Sequence, residues 1–347
     1  MVKNNFNFLR FLFALFVVIS HAYPLSGSDE TQQWIYKITN NQIALAQIGL
    51  SGFFIISGYF IYQSLERSQK LTDYFKKRFL RIFPALFFVL LASVLLSPFV
   101  YEGNLAFFHN KEVYTYLPNN LTLYGFQSGI EGVFDSNPYH AINGSLWTIK
   151  YEFTLYILVA MFFFIKNKKE IKVILLSVVF GGMLYLYNCC LDRFGESSLL
   201  GFLGIHVLNL GTFFIAGSLL AALKFENLKY KLILLFITAL ILIIALYFKS
   251  YDPLKHIFLP IFILLSGFVP VNFIKDSDKF GDPSYGIYIY SFPVQQCLVY
   301  FFNLHTFTLI IGSVCISVAL GYLSWHLIEK KALQYKKLEF GINSRLI

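Results

Sequence analysis

The chain has 347 residues, of which 57% are hydrophobic, 19% aromatic and only 14% charged, and its formal net charge is +9. An average soluble domain is about 45–50% apolar and about 25% charged; with a mean hydropathy of +0.62, this chain lacks the polar surface to cover a water-facing globule. That excludes an ordinary cytosolic enzyme, a disordered protein and a secreted disulfide scaffold. The four cysteines, two of them the adjacent Cys189 and Cys190, give neither metal spacing nor a disulfide framework. A basic charge alone would admit nucleic acid as a partner, but its distribution points to a lipid bilayer instead.

A bilayer-crossing helix needs about 20 mostly apolar residues. In chain order the sequence predicts ten such stretches, 6–25, 43–65, 79–101, 146–165, 171–191, 199–223, 230–248, 254–274, 281–303 and 308–328. The expected fold class is therefore an all-α polytopic membrane protein of about ten transmembrane helices. Most connections are short, so consecutive helices are expected as antiparallel neighbours. The exception is 102–145, polar and rich in Asn, Gly and Pro, which is long enough for a small lid. With the N-terminus inside, 21 of the 28 Lys and Arg residues fall in cytoplasmic segments. These run from Lys3 through the Lys76–Arg81 cluster, Lys166, Lys172, Lys224, Lys275 and Lys279 to Lys330, Lys337 and Arg345. Lys and Arg accumulate on the cytoplasmic side, so both termini are expected there and 102–145 outside. The first stretch carries Arg10 within its apolar run and ends in His21-Ala22-Tyr23-Pro24-Leu25 without a small-x-small cleavage site, so it reads as a retained helix. The whole chain, 1–347, reads as one membrane-embedded domain with no fused soluble domain.

Ionisable groups inside a span are costly, which makes them candidate functional residues. Arg10 and His21 are eleven residues apart on the first span, about three turns and about 16 Å, so both project from one face. Glu152 in the fourth span reaches a depth similar to that of His21 and is its candidate partner, with Lys150 as competitor. At the opposite end Arg78 and Arg81, three apart, share a helix face just before Pro84. Together with Arg10 they form either an interfacial anchor or a phosphate cradle, since guanidinium forks bind phosphate in bidentate fashion. His140 and Asn143 lie in the outer segment. His109, His206, His256 and His305 lack ligand spacing, and no metal is assigned.

These residues resemble the acyltransferase-3 family of integral-membrane acyltransferases. The resemblance is carried by Leu9-Arg10 with His21, by Gly52-Phe53-Phe54-Ile55-Ile56-Ser57-Gly58-Tyr59, and by Arg78-Phe79-Leu80-Arg81-Ile82-Phe83-Pro84. It continues in Asn143-Gly144-Ser145-Leu146-Trp147-Thr148 with Glu152, in Ser284-Tyr285-Gly286-Ile287-Tyr288-Ile289-Tyr290 with Pro293, and in Trp325 with Ile328-Glu329-Lys330. The matches run in order from residue 8 to about 330. Two positions depart from the family pattern: Ser291 stands where many members have His, and Lys150 where an uncharged residue or proline is common.

The resemblance implies transfer of an acyl group, usually acetyl from cytoplasmic acetyl-CoA, to a hydroxyl of a cell-surface carbohydrate such as O-antigen, capsule or exopolysaccharide. It implies the bacterial inner membrane as location and a carbohydrate or lipid-linked glycan as acceptor. On that reading Arg10, Arg78 and Arg81 hold the CoA phosphates, and the pantetheine arm runs up the first helix. His21 takes the acceptor proton or is itself acetylated, and Glu152 supports its imidazolium. Asn143, Trp147, Tyr151 and Tyr288 are expected near the acceptor or the adenine, unless these aromatics belong to the interfacial belt. The rival readings are a transporter or flippase for a lipid-linked saccharide, and an acyltransferase with a non-acetyl donor or non-sugar acceptor. The transporter reading calls for repeated halves with interrupted helices, and the Arg–His helix has no counterpart in the second half.

Overall fold

The computed structural model describes residues 4–271, 279 and 281–337. The expected positions of Lys3, Lys275, Arg345 and the Lys337 side chain lie outside the described residues, as do the last three residues of the predicted 254–274 span. The chain is mostly helical. In order it forms α1 (Phe6–Leu25), α2 (Trp34–Ile38), α3 (Leu45–Arg67), α4 (Leu71–Leu96), α5 (Lys111–Leu121), α6 (Trp147–Ala160) and α7 (Lys169–Phe194). A two-stranded hairpin follows, β1 (Ser198–Leu199) and β2 (Phe202–Leu203), and then α8 (Gly204–Ala222), α9 (Lys231–Tyr247), α10 (Tyr251–Phe268), α11 (Ser284–Phe302), α12 (Thr306–Ser324) and α13 (Lys330–Gln334).

A long helix stands at each of the ten predicted stretches. Seven of these are long and apolar enough to cross a membrane: α1, α3, α4 with its extension to Val100, α6 with its flanking turns, α7, α8 and α12 continued to Gln334. The other three differ for physical reasons. α9 is 17 residues long. α10 carries Asp252, Lys255 and His256 in its first turns, and α11 carries Ser284, Ser291, Gln295 and Gln296. Those α11 groups sit in protein rather than lipid: Gln295 Nε2 donates to Val18 O at 2.7 Å, Gln296 Nε2 to Tyr139 O at 2.6 Å and Ser291 Oγ to Tyr288 O at 3.1 Å. A polar helix is tolerated in a membrane bundle when its polar groups face protein, and of these only Gln295 Oε1 is buried without a partner.

The centre of the bundle is α3, packed against α1 on one side and α8 on the other, with α11 and α12 closing on α1 and α7 and α10 on α8. Close approach of α3 to α8 rests on glycine. A Cβ added at Gly58 would lie 2.0 Å from Phe214 O, and one at Gly217 2.2 Å from Ile55 O. On the outside, α7 and α9 turn Ile174, Val178, Phe236, Leu240 and Ile243 outward, each more than half exposed. A water-facing protein does not tolerate such a surface, and a bilayer does.

Two boundaries differ from the sequence reading. α4 begins at Leu71, eight residues before the predicted start, because Tyr74 and Phe75 pack inward and carry the helix through the basic cluster. Arg78, one residue ahead of the predicted stretch, and Arg81 therefore both stand well inside the helix. The 102–145 segment is also more ordered than a polar lid. Asn110 caps α5 by accepting from Glu112 N at 2.9 Å and donates to Glu131 O at 2.8 Å. Val113, Tyr116, Ile130, Val133 and Phe134 are buried beneath this cap.

Candidate active site

One cavity of about 640 Å³ runs along the bundle axis between α1, α3, α4, α6 and α11. That falls within the about 300–1,000 Å³ typical of small-ligand sites. On α3 it is lined in succession by Arg67, Ser64, Ile61, Phe60, Ser57, Phe54, Phe53 and Leu50, which makes it about 25 Å long at 1.5 Å per residue. One end is basic, with Arg67, Lys77, Arg78 and Lys336 on the wall. The opposite end is formed by Leu50, Thr148 and Tyr288.

The three predicted phosphate-binding arginines all reach this cavity, but they are not equivalent. Arg10 Nη1 lies 3.3 Å from Asp282 Oδ2, and Arg81 Nη2 lies 2.8 Å from the same oxygen. Arg81 Nη1 also pairs with Glu329 at 3.1 Å. A π-helical turn at Trp325–Glu329 buries Glu329, whose other oxygen accepts from Ser324 at 3.1 Å. Two cations and two carboxylates thus cancel. Arg78 is different: its guanidinium lies over the rings of Tyr74 and Tyr156, 5.8 Å from each, and its one polar contact is a long 3.4 Å bond to Ser64 Oγ. Its Nε is buried without a partner. Among the described residues no carboxylate sits at ion-pair distance from it.

The expected His21–Glu152 pairing is not made. Glu152 Oε1 accepts from Ser57 Oγ at 2.9 Å and from the Tyr156 hydroxyl, one turn on along α6. The packing explains this: α6 sits against α3 and α8, while α1 sits against α3, α11 and α12. Glu152 therefore belongs to the cavity and steadies the Tyr156 ring under Arg78. Lys150, the expected competitor, points the other way and donates to Gly201 O at 2.6 Å.

His21 stands beyond the Leu50 end and is not part of the lining. Gly49 packs on Phe13 and Val17, which sets Val17 level with the end near Leu50 and His21 about one turn, ~6 Å, past it. Its ring meets Phe292 edge-on with centroids 5.6 Å apart, and Nδ1 is buried without a hydrogen-bond partner. Phe292 follows Tyr288 by one turn on α11 and also packs on Tyr139 and Gly144.

Of the remaining predicted residues, Tyr288 lines the cavity, with its hydroxyl donating to Ser145 O at 2.7 Å and 2.7 Å from Thr148 Oγ1. Asn143 is fully buried; it donates to Ile289 O at 2.8 Å and caps the turn before α6 by accepting from Ser145 N at 3.1 Å. It pins α6 to α11. Trp147 and Tyr151 face away from the cavity: Trp147 lies 4.3 Å from the His206 ring, and Tyr151 accepts from Leu203 N at 3.0 Å.

Sequence reading did not single out Asp282, Ser57, Tyr156, Arg67, Lys77 or Lys336. Asp282 was within reach, as an acidic residue at the level of the arginine cluster, where a compensating charge is needed. Asp282→Ala is expected to destabilise the fold by about 3–5 kcal/mol, the cost of leaving a buried charge partner uncompensated. The fall is read as a lower thermal midpoint in detergent, and an unchanged midpoint would show that the two arginines repack without it.

Comparison with known proteins agrees with this architecture. The family model described as "Acyltransferase domain" matches residues 3–326. The chain is 28% identical over 342 residues, 95% of its own length and 96% of the relative's, to a protein named O-acetyl transferase from Shigella phage Sf6. It is 30% identical over 176 residues to Nodulation protein 10 of Rhizobium leguminosarum bv. viciae, a match covering 46% of this chain and 44% of that protein. No solved structure gives a significant match. With a family match across nearly its whole length, on a helical bundle whose arginines gather around an axial cavity, the chain belongs to the acyltransferase-3 family.

Proposed function

We propose that this protein is an O-acetyltransferase of the bacterial inner membrane, moving an acetyl group from cytoplasmic acetyl-CoA to a hydroxyl of a cell-surface carbohydrate. The observation that carries the donor assignment is the axial cavity, whose basic end holds unpaired cations and the orphaned Arg78 Nε. Such a group satisfies its hydrogen-bonding capacity with a phosphate oxygen. Arg78 stands level with Ser64 on α3, and the about 21 Å of cavity from there to Leu50 accommodates an extended pantetheine arm, so that the thioester stops beside Tyr288 and Thr148, one turn short of His21. The acceptor assignment rests on family membership and on the name of the phage relative.

In the reaction the acceptor hydroxyl loses its proton to the His21 imidazole as its oxygen attacks the thioester carbonyl. Collapse of the tetrahedral intermediate breaks the C–S bond, and the departing thiolate recovers the proton from the imidazolium. Products are the sugar ester and free CoA. Glu152 acts on the donor side, through Ser57 and Tyr156.

The test is acetyl-CoA binding and CoA release by purified protein supplied with a lipid-linked or polymeric glycan. Arg78→Met is expected to weaken acetyl-CoA binding about 10- to 100-fold, the loss of one charge-assisted contact of about 1.5–3 kcal/mol. Wild-type protein that neither binds nor cleaves acetyl-CoA would eliminate the donor assignment and move the transport reading forward.

A further inference from the structure

The cavity carries its charge in two layers. The deeper layer, Arg10 and Arg81 with Asp282 and Glu329, is electrically balanced by ion pairs of 2.8–3.3 Å. The outer layer is Arg67, Lys77, Arg78 and Lys336, drawn from α3, α4 and the turn after α13. Among the described residues none of these four has a carboxylate at ion-pair distance. Lys77 reaches only Ser68 Oγ at 3.3 Å, and Arg78 Nε is buried with no partner at all. Four like charges around one opening repel each other, and an anion bound among them removes that cost.

The outer cations also differ in kind. Arg78 is held in one plane between Tyr74 and Tyr156, the arrangement suited to bidentate contact with a bridged diphosphate. Lys77 and Lys336 are flexible stems with compact charges, brought to one side by the packing of the turn after α13 on α4, and suited to a mobile dianionic monoester. A diphosphate alone does not require four cations.

Resting on the acetyl-CoA reading, we infer that the opening is a 3′-phosphonucleotide site in which Lys77 and Lys336 hold the ribose 3′-phosphate and Arg78 with Arg67 holds the diphosphate. The balanced layer behind it is a collar that the uncharged pantetheine arm passes and the nucleotide does not. The donor is thereby measured by charge: its anionic end stops at a fixed level, which sets how far the thioester reaches.

The experiment compares binding of CoA and 3′-dephospho-CoA to wild type and to Lys77→Gln/Lys336→Gln, all in nanodiscs of zwitterionic lipid. Wild type is expected to prefer CoA by about 10- to 100-fold, the worth of a charge-assisted phosphate contact. The double variant is expected to lose that preference, with its thermal midpoint held. Adenosine 3′,5′-bisphosphate is expected to compete with CoA in wild type and to lose that competition in the variant. Equal binding of the two donors by wild type, or a preference that survives the double substitution, overturns the inference while leaving the acetyl-CoA reading intact. Failure of wild type to bind either donor overturns the acetyl-CoA reading itself. A headgroup phosphate is the other source of the same chemistry: if phosphatidylglycerol in the nanodisc raises the thermal midpoint of wild type but not of the double variant, and CoA shows no advantage over 3′-dephospho-CoA, the cations serve lipid and the inference fails.

Discussion

His21→Ala is expected to lower acetyl transfer by about 10²–10⁴-fold, the usual contribution of a positioned general base, with acetyl-CoA binding essentially unchanged. The separation follows from geometry. His21 lies outside the cavity wall, so donor affinity does not depend on it, whereas Arg78 lines the opening and has no part near the thioester. A variant that loses turnover but keeps donor binding has lost an interaction made in the transition state, and one that loses binding alone has lost uniform affinity. His21 and Arg78 should fall on opposite sides of that division. If His21→Ala turns over normally, the base is elsewhere; if it loses donor binding in proportion to turnover, His21 supports the shape of the cavity instead. The buried Nδ1 has no hydrogen-bond partner, so its hydrogen-bonding capacity is not spent within the fold. On the proposed donor assignment, the one-turn gap between His21 and the Leu50 end of the cavity, beside Phe292, puts the imidazole on the acceptor side of the thioester. A base for the sugar hydroxyl belongs on that side.

What the sequence conveyed well was axial order. Hydropathy located most of the long helices to within a few residues, α4 with its early start excepted, and the eleven-residue spacing put Arg10 at one level and His21 three turns away, as the structure has them. What it conveyed poorly was lateral adjacency. Similar depth made Glu152 the natural partner for His21, yet depth says nothing about which helices touch, and α6 lies against α3 and α8. Glu152 thus meets Ser57 and Tyr156. The same gap hid the balance of charge among the arginines. Arg10, Arg78 and Arg81 look alike along the chain, and only the return of Asp282 and Glu329 from more than 200 residues away separates two compensated cations from the uncompensated Arg78. Asn143 and Tyr151 show the converse: polar groups near the expected acceptor end whose hydrogen bonds are spent on Ile289 and Leu203.

Glycine substitutions should separate packing from propensity more sharply than any charge change. Gly58→Ile is expected to prevent assembly of a stable bundle, and even Gly58→Ala is expected to cost about 1–3 kcal/mol as an overpacked contact. The atom met by the new Cβ is the Phe214 carbonyl oxygen, 2.0 Å away; a backbone atom in the middle of α8 has no rotamer by which to escape. Relief requires α3 and α8 to separate, and Gly217 against Ile55 O repeats the constraint from the other helix. Separation would also loosen the bond from Ser218 Oγ to Gly58 O, now 3.0 Å, and shift Ser57, the neighbour that holds Glu152 in the cavity. Stability and donor binding should therefore fall together. Gly181 on α7 provides the opposite case, since a Cβ there meets nothing within 4 Å. Gly181→Ala should raise stability by about 0.5–1 kcal/mol, the ordinary helix preference for Ala over Gly, with binding unaffected. Thermal midpoints and the monodisperse fraction in detergent measure both. Equal effects at Gly58 and Gly181 would mean that the α3–α8 contact is looser than its glycines imply.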